Sequence, residues 1–155
     1  MPPTSGSGRL SPRLAAIVDA LPLAPGMRVL EIGCGPGAAA RAVAARIGDG
    51  FVLAIDRSSR AVLQAQTACA EEIESGRMEV RQAAVEQFEL QSGEQPFDLA
   101  FAVRVGALDA RHPQLQGPAL ARIARALTPE GRLYIDGGDP LRELPLPGRV
   151  PRSPA

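Results

Sequence analysis

Residues 29–37 read Val-Leu-Glu-Ile-Gly-Cys-Gly-Pro-Gly, an apolar run that breaks into three alternating glycines, Gly33, Gly35 and Gly37, with one carboxylate, Glu31, two places ahead of the first. A nearly continuous apolar run suits a strand covered on both faces of a parallel sheet. The glycines let the backbone turn sharply and come close to a ligand where a Cβ would collide, and a helix starting just after them offers free N–H groups. A second carboxylate, Asp56, closes the run Phe-Val-Leu-Ala-Ile-Asp at 51–56. At the end of a second parallel strand an acid reaches ribose hydroxyls. The two features together imply a nucleoside ligand.

Working outward from this centre, strands and helices alternate. Ser11 followed by Pro12 is a helix entry, and Leu14, Ile17, Val18 and Leu21 recur at i, i+3, i+4 and i+7, so a short amphipathic helix precedes the first strand at 28–32. The alanine-rich stretch 38–47 reads as the crossover helix and 51–56 as the second strand. Val62, Ala65, Cys69 and Ile73 mark one helix over 58–75, followed by a short strand at 78–82 and a brief helix at 85–90. A fourth strand spans 96–103, and Leu120, Ile123, Ala124 and Leu127 define a further helix. Thr128-Pro-Glu-Gly131 has the residues of a type I turn, leading into a fifth strand at 132–136. Such alternation means right-handed crossovers and a parallel sheet, with ligands outside the carboxyl ends of the strands. Five prolines in 140–155 exclude a central strand there and predict an irregular or extended tail.

Composition removes several classes of function. The 155 residues suit a single domain, and 17 basic residues balance 17 acidic ones, so neither nucleic acid nor an anionic membrane is an expected partner. All 17 basic residues are arginine, a bias shared with the abundant alanine and carrying little functional weight. Aromatic residues, at 3%, are too few for base-stacking platforms. Cys34 and Cys69 form no CxxC or Cys/His cluster, which predicts reduced thiols and no metal site. The first eight residues lack the basic-then-apolar order of a signal peptide, and no apolar run approaches ~20 residues, so a cytoplasmic protein is expected. No Lys-Ser/Thr follows the glycines, which argues against a nucleoside triphosphatase.

Gly33, Gly35 and Ala38 with Asp56 also satisfy the dinucleotide fingerprint, so an NAD-dependent oxidoreductase is one reading of the loop. Glu31, Gly37 and three later segments point elsewhere. Val-Leu-Glu-Ile-Gly-Cys-Gly-Pro-Gly, then Leu-Ala-Ile-Asp at 53–56, Pro-Phe-Asp-Leu-Ala-Phe at 96–101 and Ala-Leu-Thr-Pro-Glu-Gly-Arg-Leu-Tyr-Ile at 126–135 resemble, in this order, the class I S-adenosylmethionine-dependent methyltransferases.

The resemblance implies an α/β, Rossmann-like doubly wound, mainly parallel five-stranded sheet in the order 3-2-1-4-5, with helices on both faces. It implies S-adenosyl-L-methionine as cofactor, with the loop of Gly33, Cys34, Gly35 and Gly37 under its methionine and ribose portions and Asp56 on both ribose hydroxyls. Glu31 would fix the loop and its amino-group contacts, Arg57, Ala84 and Val85 would flank adenine, and the carbonyls of Ala102 and Val103 would lie near the methionine amine. The chain departs from the family pattern in two places. Ala83-Ala84 stands where many relatives have Gly-Asp, and the usual sixth and seventh strands have no counterpart. The expected organisation is thus a flexible N-terminus at 1–10, a methyltransferase-like domain at 11–139 and a proline-rich irregular tail at 140–155. The fifth strand would be an exposed edge unless the tail or a second subunit, in a homodimer, covered it.

Transfer of a methyl group from a sulfonium requires alignment of the acceptor above all, and no protein nucleophile. The expected function is methyl transfer to a small-molecule acceptor; a protein that keeps the cofactor site without catalysis is the alternative. Candidate side chains beyond the fourth strand are His112, the single histidine, as a base for an acceptor that must lose a proton, and Arg104 as a partner for an acidic acceptor. Asp109 and Asp136 are lesser candidates.

Overall fold

The computed structural model describes residues 10–149. The expected flexible N-terminus, except for Leu10, and the end of the tail, residues 150–155, lie outside the described residues.

Helix α1, Pro12–Ala20, begins as its sequence dictates: the Ser11 hydroxyl accepts a hydrogen bond from the Leu14 amide at 3.2 Å and Pro12 occupies the first turn. Strand β1, Arg28–Ile32, leads through the glycine loop to α2, Ala38–Arg46, and β2, Phe51–Asp56. Two helices, α3 at Ser59–Ala68 and α4 at Ala70–Glu74, then precede β3, Met78–Gln82. A single 3-10 turn at Val85–Gln87 is followed by β4, Phe97–Ala102, α5, Pro113–Ala126, β5, Leu127–Asp136, and β6, Leu141–Leu144.

The strands form one sheet in the order β3-β2-β1-β4-β5-β6. The first four pairings are parallel and the last is antiparallel. Alternation along the strands divides the core between two faces. Leu30, Ile32, Leu53, Ile55, Ala100 and Leu133 pack toward α5, while Val29, Val52, Ala54, Leu99 and Phe101 pack toward α1, α2 and α3. At the amino ends of the strands Arg28 fastens the sheet: its amide donates to Asp98 Oδ2 at 2.9 Å and its guanidinium lies over the rings of Phe51 and Phe97, about 5 Å from each centroid. The opposite, carboxyl ends carry the loops.

Three expectations require correction. The predicted five-stranded sheet has a sixth strand, and part of the tail expected to be irregular forms it. Pro140 and Pro145 bracket the proline-free segment Leu141–Leu144, so none of the tail's missing amide donors falls inside the strand. The strand pairs antiparallel with β5, Leu133 opposite Leu144 and Asp136 opposite Leu141, so that the tail covers the β5 edge, one of the two covers expected for it. The single helix predicted over 58–75 is broken at Cys69, which ends α3 and begins α4. The turn expected at 128–131 is absorbed into the first half of β5 as an irregularity, where the pairing slips from Phe97 opposite Leu127 to Leu99 opposite Arg132. Arg149 clamps this region: its guanidinium donates to the carbonyls of Ala124, Leu127, Thr128, Pro129 and Gly131, taking up the end of α5 and the irregular stretch together.

Candidate functional site

The glycine loop is built by β1 and β2 jointly. The Ile55 carbonyl accepts hydrogen bonds from the amides of both Gly33, at 2.8 Å, and Cys34, at 3.0 Å, so the end of β2 holds the first turn of the loop. Asp56 then splits its carboxylate: Oδ2 accepts from the Gly35 amide and Oδ1 from the Ser58 amide, each at 2.9 Å. One acid therefore fixes the glycine loop and the entry to α3. Gly33, Gly35 and Gly37 all have left-handed φ, +69°, +54° and +93°. At Gly37 a Cβ would lie 2.8 Å from Cys69 Sγ and 3.3 Å from Ala65 Cβ, so α3 packs directly on the loop backbone. At Gly35 a Cβ would meet nothing within 4 Å, because that part of the backbone faces an open cleft.

Two adjoining clefts open here. The first, about 280 Å³, runs between Glu31, the glycine loop and the start of α1 at Ser11 and Arg13, reaching Val103 and Arg104. The second, about 270 Å³, runs from Asp56 and Arg57 past Ala84 and Val85 to Arg104 and His112. Gly33 and Arg104 line both. Of the residues singled out from sequence, Glu31, Gly33, Cys34, Gly35 and Val103 fall on the first cleft, and Asp56, Arg57, Ala84, Val85 and His112 on the second. Gly37 and Ala102 are buried behind these walls and line neither cleft.

Glu31 is 3% exposed, and its Oε1 has no hydrogen-bond partner. Burial pushes its carboxyl up to about 8, and the negative charge of Asp56 adds to the rise. An unmet buried oxygen costs about 1–3 kcal/mol, which a donor entering the cleft would recover. Cys34 is 6% exposed, and burial together with the charges of Glu31 and Asp56 raises its thiol, so it is no thiolate nucleophile. The Cys69 thiol is likewise pushed up to about 11, chiefly by burial, and lies 3.7 Å from the Gly37 carbonyl.

The loop after β4 is held as firmly as the glycine loop. The Arg104 amide donates to Asp136 Oδ1 at 3.1 Å, and its carbonyl accepts from Arg111 Nη2 at 2.6 Å. Asp136 also pairs with Arg13 of α1 at 2.8 Å, and Arg111 with Asp109 at 3.0 Å, which holds the Asp109 carboxyl below its ordinary value. The Asp136 carboxylate thus joins α1, β5 and the β4 loop across the mouth of the first cleft. His112 is exposed at the entry to α5, with its ring packed against Gly106, where a Cβ would come within 2.4 Å of Cδ2. Sequence reasoning missed Ser11, Arg13 and Leu14 as walls of the first cleft. The helix containing them was legible, but nothing in its periodicity tells which strand end it crosses.

Among the described residues, no group of three or more His, Cys, Asp or Glu is placed to hold a metal, and no helix is long and apolar enough to cross a membrane.

Comparison with known proteins bears on this geometry. The sequence pattern described as "Methyltransferase domain" matches residues 29–131. A trans-aconitate 2-methyltransferase of Methylobacterium nodulans is 32% identical over 131 residues, covering 83% of this chain and 45% of that protein. Among solved structures, phosphoethanolamine N-methyltransferase 2 of Haemonchus contortus, in complex with S-adenosyl-L-methionine, superimposes with a TM-score of 0.64 at 27% identity, covering 79% of this chain and 27% of its own. The [4+2]-cyclase SpnF superimposes with a TM-score of 0.62 at 25% identity, covering 79% and 42%. The chain thus spans less than half the length of each of these proteins.

Proposed function

The chain belongs to the methyltransferase-domain family, and from that premise we propose that it binds S-adenosyl-L-methionine in the two clefts and transfers its methyl group to a small-molecule acceptor. The observation that carries this reading is the pairing of the open cradle at Gly35 with the unpartnered, buried Glu31 Oε1. The residues fit the cofactor: Glu31 offers an oxygen to the amino group of its methionine end, the backbone at Gly35 admits the centre without a side chain in the way, and Asp56 stands at the position of a ribose partner. Asp56 already accepts from the Gly35 amide through Oδ2, so its orientation is fixed before any ligand arrives.

When bound, the cofactor supplies an activated methyl carbon, to which the acceptor's lone pair forms a bond as the sulfonium–methyl bond breaks and its electron pair returns to sulfur. The protein's contribution is alignment. Arg104 and Gly33, common to both clefts, stand where cofactor and acceptor sites would meet. A carboxylate acceptor needs no base, whereas a hydroxyl or amine acceptor would call on His112 at the far wall of the second cleft. The similarity to a trans-aconitate 2-methyltransferase puts carboxylic acids first among the acceptors to screen.

Calorimetric titration with S-adenosylhomocysteine tests the reading. Micromolar binding that weakens at least ~10-fold in Asp56→Ala is expected, from the ~1.5–3 kcal/mol of a hydrogen bond to a charged group. No binding at millimolar ligand would refute it. A second reading, a protein that keeps the cofactor site for other chemistry, is favoured by Ala84, where a carboxylate is usual, and by the similarity to a [4+2]-cyclase. Tight cofactor binding with no turnover across the acceptor screen would support that reading over the first.

A further inference from the structure

Arg104 combines three properties found at no other position of the site. Its backbone is left-handed, φ +58°, a region that costs an L-residue energy and that glycine enters freely. That conformation is enforced from both sides, by the Asp136 carboxylate on its amide and the Arg111 guanidinium on its carbonyl. These braces are themselves neutralised in pairs, Asp136 by Arg13 and Arg111 by Asp109. The charges that brace Arg104 are therefore each paired with a neighbour, while Arg104 itself is exposed, has no carboxylate partner among the described residues, and lines both clefts. Strain held by surrounding structure at a cleft is a mark of function.

We propose that Arg104 is the carboxylate anchor of this site, a specificity-determining residue whose planar guanidinium receives a carboxylate where the two clefts meet. A guanidinium offers two parallel N–H donors to a carboxylate, and a shape-matched pair of this kind selects strongly against amides and esters. The inference rests on the reading of the two clefts as the place where the cofactor binds and meets its acceptor. Two molecules could present the carboxylate, the acceptor or the amino-acid end of the cofactor, and binding separates them.

The informative variant is Arg104→Gly, because glycine suits the left-handed backbone and leaves both braces in place. Its thermal midpoint is expected to equal or exceed that of the unchanged protein; a fall of several degrees would show that Arg104 serves the fold and would overturn the proposal. Calorimetry then compares S-adenosylhomocysteine with 5′-methylthioadenosine, which lacks the amino-acid end, and titrates trans-aconitate, citrate and succinate, with their amides as controls, into protein saturated with S-adenosylhomocysteine. If the acceptor supplies the carboxylate, Arg104→Gly leaves S-adenosylhomocysteine affinity unchanged and weakens acid binding ~10-fold or more, the expected loss of a charge-assisted pair, with partial rescue in Arg104→Lys. If the cofactor supplies it, S-adenosylhomocysteine weakens by a similar factor and 5′-methylthioadenosine does not. Unchanged S-adenosylhomocysteine affinity together with no arginine-dependent binding of any acid overturns the proposal. Failure of the unchanged protein to bind S-adenosylhomocysteine would instead overturn the reading of the clefts on which it rests.

Discussion

The glycine loop after β1 and the loop after β4 solve the same backbone problem with opposite residues. Both turn through left-handed conformations at the carboxyl end of a strand, the first at Gly33, Gly35 and Gly37, the second at Arg104 and Ala110. In the first loop side chains are excluded at two of the three positions: the space is already taken by Val105 at Gly33 and by Cys69 and Ala65 at Gly37. In the second, the unfavourable geometry is accepted at Arg104, and the hydrogen bonds from Asp136 and Arg111 hold it. Where the chain needs close approach it uses glycine; where it needs a charged head in the cleft it tolerates strain. The β1 loop is therefore written in residue types, and the β4 loop in contacts.

The contrast can be broken most forcefully at Gly37. Gly37→Ala combines a left-handed alanine with an overpacked contact, and should cost about 2–4 kcal/mol of unfolding free energy in urea titration. A loss under ~1 kcal/mol would mean that α3 shifts readily and the loop is not sterically fixed. Removing the clamp at Arg149 comes next. Arg149→Met leaves the carbonyls at the end of α5 without their shared donor, and about 1–3 kcal/mol should be lost in the same titration.

Glu31→Gln sharpens the comparison through pH. A buried acid whose value is raised from 4.5 to about 8 in the folded state binds a proton more tightly folded than unfolded. Its favourable contribution is complete below pH 4.5 and is lost as pH rises to about 8. Urea midpoints at pH 5 and pH 8.5 should therefore fall more steeply with pH in the unchanged protein than in Glu31→Gln; equal slopes would mean that Glu31 ionises without penalty. The smallest effect belongs to the β4 loop. Ala110→Gly should raise stability by about 0.5–1 kcal/mol, since the left-handed cost to alanine exceeds the entropy that glycine loses. A decrease would show that φ +75° at Ala110 carries little strain.

The same contrast explains what could be read from sequence. The alternation of apolar strands with periodic helices gave the parallel core and its order, because burial on both faces leaves runs that are nearly all apolar, such as 29–32 with Glu31 as its one polar member, and 52–55. The glycine loop and Asp56 were legible because their geometry restricts residue type. Strand β6 was not: four residues with a burial pattern alternating only in part carry little periodicity, and its formation depends on backbone pairing with Leu133 to Asp136. Arg13 and Arg149 were equally silent, since any surface arginine reads alike and only tertiary placement brings Arg13 to Asp136, 123 residues away. The helix break at Cys69 is not legible because apolar spacing continues through it, while in the fold the Cys69 thiol lies against the Gly37 carbonyl.

Strand β6 also bears on how the sheet is assembled. Each parallel pairing waits on a helical crossover, a long loop whose closure entropy must be met before contacts form. The β5–β6 pairing spans only residues 137–140, so the loop it closes is far shorter than a crossover. Strand β6 therefore covers β5 locally, and the outer strands of the sheet are the four-residue β6 on this side and β3 on the far side. That edge bears Glu79 and Arg81, paired with each other at 2.9 Å, charges of the kind that discourage another chain from adding a strand. The two margins are thus protected by different means, one by the shortness of its outer strand and the other by charge.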